Sequence, residues 1–546
     1  MAEFTAAIVP TDAIPQTEPL QEGMVANSAG GFVFAVDDMS RLRRFLCLGS
    51  EGGSYYATEQ QLGLENAQAI KRLLNGGHGA EVVATIAAFA TEGRAAKQNP
   101  GLFALAMCAR LGSEETRRLA YAALGAVCRI PTNLFMFIGF CEAFGPGTGW
   151  GRCQKRAVTE WYNGKDAAAL GMLVTKYQNR EGWTHTDMLR LAHIRPATGA
   201  HNLVYKYVTK GWAGLTAEDA VAAQANAACA PVWAFLHAVH QAKAADEALM
   251  VRLIHEHRLV REHVPTQLLA APAVWEALLQ DMPMTAMLRN LAKMTAIGVL
   301  RPLGEWTATV CKRLRDAGAL RRARVHPMSV LIALETYRQG HGDKGKLAWD
   351  PVPEIVAALD DAFYAAFAAV TPTGRRFVLA LDVSGSMGCT KVTGSPMLTP
   401  RTAAAAMSMV TARTESRHAF VAFSHTIVPL GIDAGMRLED VVQVTSGLPF
   451  GATDCAQPML WALATGLEAD VFVVFTDCET FYGDIHPVAA LRQYRAATGI
   501  AARLIVVAMS SNGFTIADPE DAGMLDVVGF DASAPEVMRQ FILGEV

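Results

Sequence analysis

Three short stretches of this chain hold side chains fit to bind a hard cation. Asp382-Val383-Ser384-Gly385-Ser386 follows an apolar run, Phe377 to Leu381, that reads as a buried strand. Side chains alternate along an extended chain, so Asp382, Ser384 and Ser386 point the same way. One carboxylate and two hydroxyls at that spacing make an oxygen-only surface suited to Mg²⁺ or a similar divalent cation. Downstream, Thr453 and Asp454 sit in a Gly-rich turn, and Asp477 ends a second apolar strand, Val471 to Phe475. The competing reading is a Ser/Asp cluster that only caps a helix at a strand-to-helix turn.

The elements around these stretches place them usefully. Thr371-Pro372-Thr373-Gly374 marks a turn or linker, after which strand-like runs alternate with helical ones. Strands are predicted at Phe377–Leu381, Ala419–Phe423, Val471–Phe475, Leu504–Ala508 and Met524–Val528. Helices are predicted at Thr402–Thr414, Ala456–Leu463 and His486–Tyr494. Such alternation implies a doubly wound parallel sheet with helices on both faces over residues 375–546. Sites in these sheets form at the carboxyl ends of strands, where Asp382 and Asp477 fall. Position and composition together resemble the metal-ion-dependent adhesion site of von Willebrand A domains: Asp-x-Ser-x-Ser, then Thr, then Asp. An exposed cation in such a site keeps one coordination position for an acidic residue of a protein partner.

The preceding chain is different. From Met39 to about Tyr364 apolar residues recur at steps of three and four, as in Glu81–Phe89, Leu102–Ala109, Met284–Met294 and Ser329–Tyr337. So many helices cannot form one simple bundle, and stacked helix pairs in a solenoid are expected over residues 26–370. Residues 1–25, with Pro10, Pro15 and Pro19, read as a flexible tail and not as a signal peptide.

Composition narrows the function classes. The chain has 546 residues, 51% hydrophobic and 18% charged, which is a globular balance. No apolar run is long enough to span a membrane. The ten cysteines form no C-x-x-C pair, which argues against a zinc module or disulfide scaffold and for reduced thiols in a cytoplasmic protein. Net charge is only −4, but it is unevenly spread. Residues 151–212 hold ten Lys/Arg against four Asp/Glu, while residues 375–546 hold eleven against eighteen. A basic surface confined to one part fits an RNA partner there.

Within that basic segment Lys155, Arg156, Lys176, Arg180, Arg190, Arg195, Lys206 and Lys210 are interleaved with Trp150, Trp161, Tyr162, Tyr177, Trp183, Tyr205, Tyr207 and Trp212. Cations hold phosphates, and aromatic planes stack on unpaired bases. Lys176 and Arg180 are four apart and would share one face of a helix; Thr184 can cap the next helix, where Arg190 and His193 are neighbours. The alternative is that the aromatics are core and the charges an ordinary solvated face. Two other patterns carry no chemistry. The phosphate-loop spacing at residues 340–346 has Leu347 where Ser or Thr should hold Mg²⁺. His255-Glu256-His257 lacks the two histidines one helical turn apart that a zinc protease uses.

Further stretches resemble one known family. They are Arg43-Arg44-Phe45-Leu46-Cys47, Gly49-Ser50-Glu51-Gly52-Gly53-Ser54-Tyr55-Tyr56, Val127-Cys128-Arg129-Ile130-Pro131-Thr132, Arg258-Leu259-Val260-Arg261-Glu262-His263, Leu288-Arg289-Asn290-Leu291, Phe475-Thr476-Asp477 and residues 511–519. Nearly the whole chain is similar to the Ro ribonucleoprotein autoantigen family. The resemblance implies a TROVE module of HEAT-like helical repeats closed into a ring, joined to a von Willebrand A domain. It implies binding of Y RNA on the outer ring surface and passage of the single-stranded 3′ ends of misfolded noncoding RNAs through the hole. It places Lys176, Arg180 and His193 on the RNA surface, with Arg129 and Thr132 nearby; Arg190, read above as the neighbour of His193, is counted with them as RNA-binding. It makes Ser384, Ser386 and Thr453 direct metal ligands, with Asp382 and Asp477 acting through water. A monomer is expected, without enzymatic activity. Two readings compete. A metal-dependent phosphoryl hydrolase using Asp382 would need a second Asp where Ser384 stands. A protein-only adhesion or scaffold module leaves the basic aromatic segment unexplained.

Overall fold

The computed structural model describes residue 10 and residues 13–50, 57–145, 147, 149–342, 346–367, 371–389, 398–448 and 451–545. Residues 51–56 of the motif above, and 343–345 of the phosphate-loop spacing, lie outside the described residues.

The chain opens with an antiparallel pair, β1 (Met24–Ala26) and β2 (Phe32–Ala35). Helices then follow one another from Asp38 to Ala365. Many begin where the sequence offers a capping side chain. Asp37, Thr58, Ser113, Asp166, Thr198 and Asp246 each accept a hydrogen bond from an amide in the first turn of the helix that follows. One small hairpin interrupts them, β3 (Asn179–Arg180) with β4 (Trp183–Thr184).

The remaining strands are β5 (Arg376–Asp382), β6 (Arg417–Phe423), β7 (Ile427–Leu430), β8 (Val471–Thr476), β9 (Arg503–Ala508), β10 (Phe514–Thr515) and β11 (Met524–Val528). Six of them form one sheet in the order β11-β9-β8-β5-β6-β7, parallel except for the antiparallel edge strand β7. Each of the five predicted strands is present. Edge strand β7 and the helices Leu438–Ser446 and Ala534–Leu543 are additions that the sequence reading did not contain.

Alternation along β5 explains how the sheet is covered. Leu379 and Leu381 face a core that continues into the helices after Ala238, while Val378 and Ala380 face the opposite layer with Phe472 and Val474. The helical and α/β parts therefore share a core. A buried arginine strengthens the join: Arg44, on the first helix, donates to Asn512 O at 3.1 Å and Phe514 O at 2.7 Å and pairs with Asp526. The two ends of the helical array also meet. His326 Nε2 donates to Arg94 O at 2.9 Å, and the Arg94 guanidinium pairs with Asp531 at 2.6 Å.

Residues 13–25 of the expected tail run along the α/β domain. Gln16 is fully buried; its amide donates to Asp454 Oδ1 at 2.7 Å and to Ile485 O at 2.8 Å. β2 also pairs with β10, so residues 24–35 belong structurally with the α/β domain. This departs from a flexible tail over 1–25, and it ties the first residues of the helical module to the α/β domain. The cause is backbone and amide hydrogen bonding to partners more than 400 residues away.

Candidate metal centre and nucleic-acid interface

The register of β5 with β8 pairs Leu381 with Phe475, so Asp382 and Asp477 emerge side by side at the carboxyl end of the sheet. Ser384 N donates to Asp382 Oδ1 at 2.9 Å, and Thr476 Oγ1 donates to Asp382 Oδ2 at 2.6 Å. Ser384 Oγ and Ser386 Oγ lie 3.1 Å apart. Thr453 is buried in a loop of the same end of the sheet. Its carbonyl accepts from the amides of Phe481 and Tyr482, each at 3.1 Å, and Asp454 N donates to Ser424 O at 3.0 Å. The five residues proposed for the site thus share one end of the sheet, and all are buried.

The electrostatics suit a cation. Burial, then the nearby Asp477 charge, raises the proton affinity of Asp382; burial likewise raises that of Asp477. Two ionised carboxylates so placed repel each other, and a divalent ion between them would remove that cost. Among the described residues no three His, Cys, Asp or Glu side chains cluster with metal-binding geometry. A cation here would therefore rely on the hydroxyls of Ser384, Ser386 and Thr453, and on water, beside the two carboxylates. Asp454 serves the loop instead: it accepts from Gln16, Gln457 Nε2 and Ala456 N.

Sequence reasoning missed several supports. Arg401 Nη2 donates to Val383 O at 2.7 Å, behind Ser384. Buried Glu479 accepts the Ser28 amide at 2.8 Å, and Asn512 Nδ2 donates to Asp477 O at 2.7 Å. Of these only Asn512 had a signal, as had Thr476 above, since both lie in stretches quoted for their resemblance.

The basic segment is built differently from its prediction. The helix Ala167–Lys176 ends at Lys176, so Lys176 and Arg180 do not share a helix face. Arg180 instead lies on β3, exposed, 3.2 Å from Glu181. Glu181 and Gly182 both have positive φ, 52° and 80°, as a tight two-residue hairpin turn requires. Lys176 Nζ sits 5.1 Å over the Tyr177 ring. Thr184 does cap the next helix, in a reciprocal capping box with Asp187. That helix stops at Leu191, so His193 lies beyond it, at φ 54°, with its amide on Arg190 O at 3.2 Å. Arg180, Arg190 and His193 are exposed.

Arg129 and Thr132 are elsewhere. They sit at the start of the helix Pro131–Phe144, whose Gly139 faces Trp183 of the hairpin. Seven residues of helix between Thr132 and Gly139 amount to about 10 Å. Arg129 lies near Arg324, and burial and that neighbouring charge lower its proton affinity. The aromatics divide. Trp161, Tyr162 and Tyr205 are core: Trp161 Nε1 donates to Cys128 O, Tyr162 OH meets His185 Nδ1 at 2.7 Å, and Tyr205 OH donates to Asn163 Oδ1 at 2.7 Å. Trp150, Tyr177, Trp183, Tyr207 and Trp212 remain half-buried. All ten cysteines are free thiols. Among the described residues no helix is long and apolar enough to cross a membrane.

Comparison with known proteins follows this division. The TROVE domain family model matches residues 25–336, and the Ro60 vWA domain model matches residues 376–542. The chain is 38% identical to the RNA-binding protein RO60 of Caenorhabditis elegans, over 97% of this chain and 92% of that one. It is 42% identical to the RNA-binding protein RO60 of Deinococcus radiodurans, over 97% of this chain and 98% of that one. The crystal structure of the Deinococcus radiodurans RO (RSR) protein superposes with a TM-score of 0.68 at 40% identity, covering 93% of this chain and all of that one.

Proposed function

We propose a function from one premise: the chain belongs to the Ro60 family, here a helical TROVE domain followed by a von Willebrand A domain. It acts as the protein of a small ribonucleoprotein. Its helical domain holds structured Y RNA on the outside and takes the single-stranded 3′ ends of misfolded noncoding RNAs through a central hole. The observation that carries this reading is the set of polar groups on and around the β3–β4 hairpin of the TROVE domain: half-buried Lys176 before it, and exposed Arg180, Arg190 and His193 on and after it. The junction of Arg94 with His326 supports closure of the helices into a ring. A constriction between helices admits a single strand and excludes a duplex, so selection follows RNA shape. Phosphate contacts position the structured RNA with little reading of bases. Y RNA bound outside would cover the approach to the hole and so compete with misfolded RNA.

The α/β domain binds a divalent cation, Mg²⁺ first among them, through Ser384, Ser386 and Thr453, with Asp382 and Asp477 behind water. Its open coordination position suits a protein partner's carboxylate. It carries no catalysis: the position two residues after Asp382, where a phosphoryl-transfer enzyme of that type places its acid, is Ser384.

The test is a salt series of Y RNA binding to the wild type and to Lys176→Ala/Arg180→Ala. Loss of two phosphate contacts should weaken binding and flatten the log–log salt slope by about 1 to 2. Equal affinity and equal slope would remove the assignment.

A further inference from the structure

A cavity of about 450 Å³ opens beside the hairpin, between the end of the helix Ala167–Lys176 and the helices that follow. That volume lies within the range of ordinary small-ligand sites. Its walls include Gln178, Asn179, Tyr207, Trp212, Lys243 and Glu262. The two histidines that also border it are occupied. His263 Nε2 lies 3.0 Å from Thr175 Oγ1 while its Nδ1 accepts Val260 N, and His185 Nε2 lies 2.8 Å from Tyr177 O.

The remaining groups suit one kind of guest. Trp212 borders the cavity and is held in place by His237 and His240, stacked on it with ring centroids 5.2 and 5.1 Å away. Tyr207 is a second aromatic residue of the lining. Gln178 spends one amide proton on Thr175 O at 3.2 Å and keeps its carbonyl as an acceptor. Asn179 adds both a donor and an acceptor. Glu262 repels phosphate but accepts from an amino group, as carboxylates do with base edges. Exposed Lys243 lies on the same wall and suits the phosphate that must stay outside.

We propose that this cavity holds one unpaired nucleobase of the bound RNA, read by Gln178, Asn179 and Glu262 beside Tyr207 and Trp212, with its phosphate on Lys243. The inference rests on the RNA-binding reading above and deepens it: the phosphate-gripping turn gains a neighbouring base-reading pocket.

The experiment is a cycle of two strands and two proteins. The probes are a single-stranded cytidine decamer and a ribose-phosphate decamer of equal length without bases. The proteins are the full chain and its Gln178→Ala/Asn179→Ala variant, whose two changes lie at exposed positions. The wild type should bind the cytidine strand more tightly than the baseless one, and the variant should lose about fivefold or more of that preference while binding the baseless strand unchanged. Lys243→Ala should weaken both strands by the same factor. An unchanged preference in the double variant overturns the pocket and leaves RNA binding standing. Failure of the wild type to bind either strand, or Y RNA, overturns the RNA reading and the pocket with it.

Discussion

At the scale of single residues, the α/β site is a balance between like charges and hydroxyls. Ser384→Ala removes a proposed ligand whose hydroxyl lies 3.1 Å from that of Ser386. Mg²⁺ affinity measured by titration calorimetry should fall about tenfold or more, with the fold unchanged. His326 behaves oppositely to a carboxylate. Burial pushes its pKa down to about 4 from an ordinary value of 6.5. The unfolded chain therefore takes up this proton first as pH falls, so stability drops between about pH 6.5 and 4. Denaturant midpoints at pH 7 and pH 5 should differ less in His326→Gln than in the wild type. The residues of the proposed cation site could be singled out because all of them follow apolar strands or sit in a glycine-rich turn, and the structure gathers them at one end of the sheet. Arg401 was not, since nothing local distinguishes it from any other arginine of a helix.

At the scale of elements, the hairpin between β3 and β4 sets where Arg180 points. Gly182 has open space around its missing Cβ, so Gly182→Val costs only the left-handed backbone, about 1–2 kcal/mol. Its charge is unchanged, yet Y RNA affinity in a filter-binding assay should drop because the turn no longer holds Arg180 in place. A four-residue spacing suggested a helix there, and the spacing misled because the helix ends at Lys176 and two left-handed residues follow. Buried strands read well: β5, β8 and β9 are covered on both faces and appear as unbroken apolar runs. Strand β7 contains Pro429 and is half-buried, which left no such run. The N-terminal segment was misread as loose because its partners lie far along the chain. Gln16→Ala takes one buried hydrogen bond from the Thr480 hydroxyl and one from Asp454, each of which keeps other partners, and should cost about 1–3 kcal/mol in denaturant unfolding.

At the scale of the whole molecule, the helical and α/β domains are joined by burial and charge together. Arg44 has no exposed surface, and Arg44→Ala would leave Asp526 without its cation in the join. A loss of about 3–5 kcal/mol is expected, read as a lowered unfolding midpoint followed by far-ultraviolet circular dichroism. The two-domain division was visible in periodicity, but the mutual dependence was not, because no periodicity reports a contact between residues 44 and 526. Arg94 extends the point. Its carbonyl is clasped by His326 and its guanidinium by Asp531, so the first helices, the last helices and the α/β domain are pinned at one residue. If the array encloses an eyelet as proposed, that pin keeps it from unbuckling sideways. An RNA must then enter tip first, like thread, and a covalently closed circle would be turned away however unpaired it is.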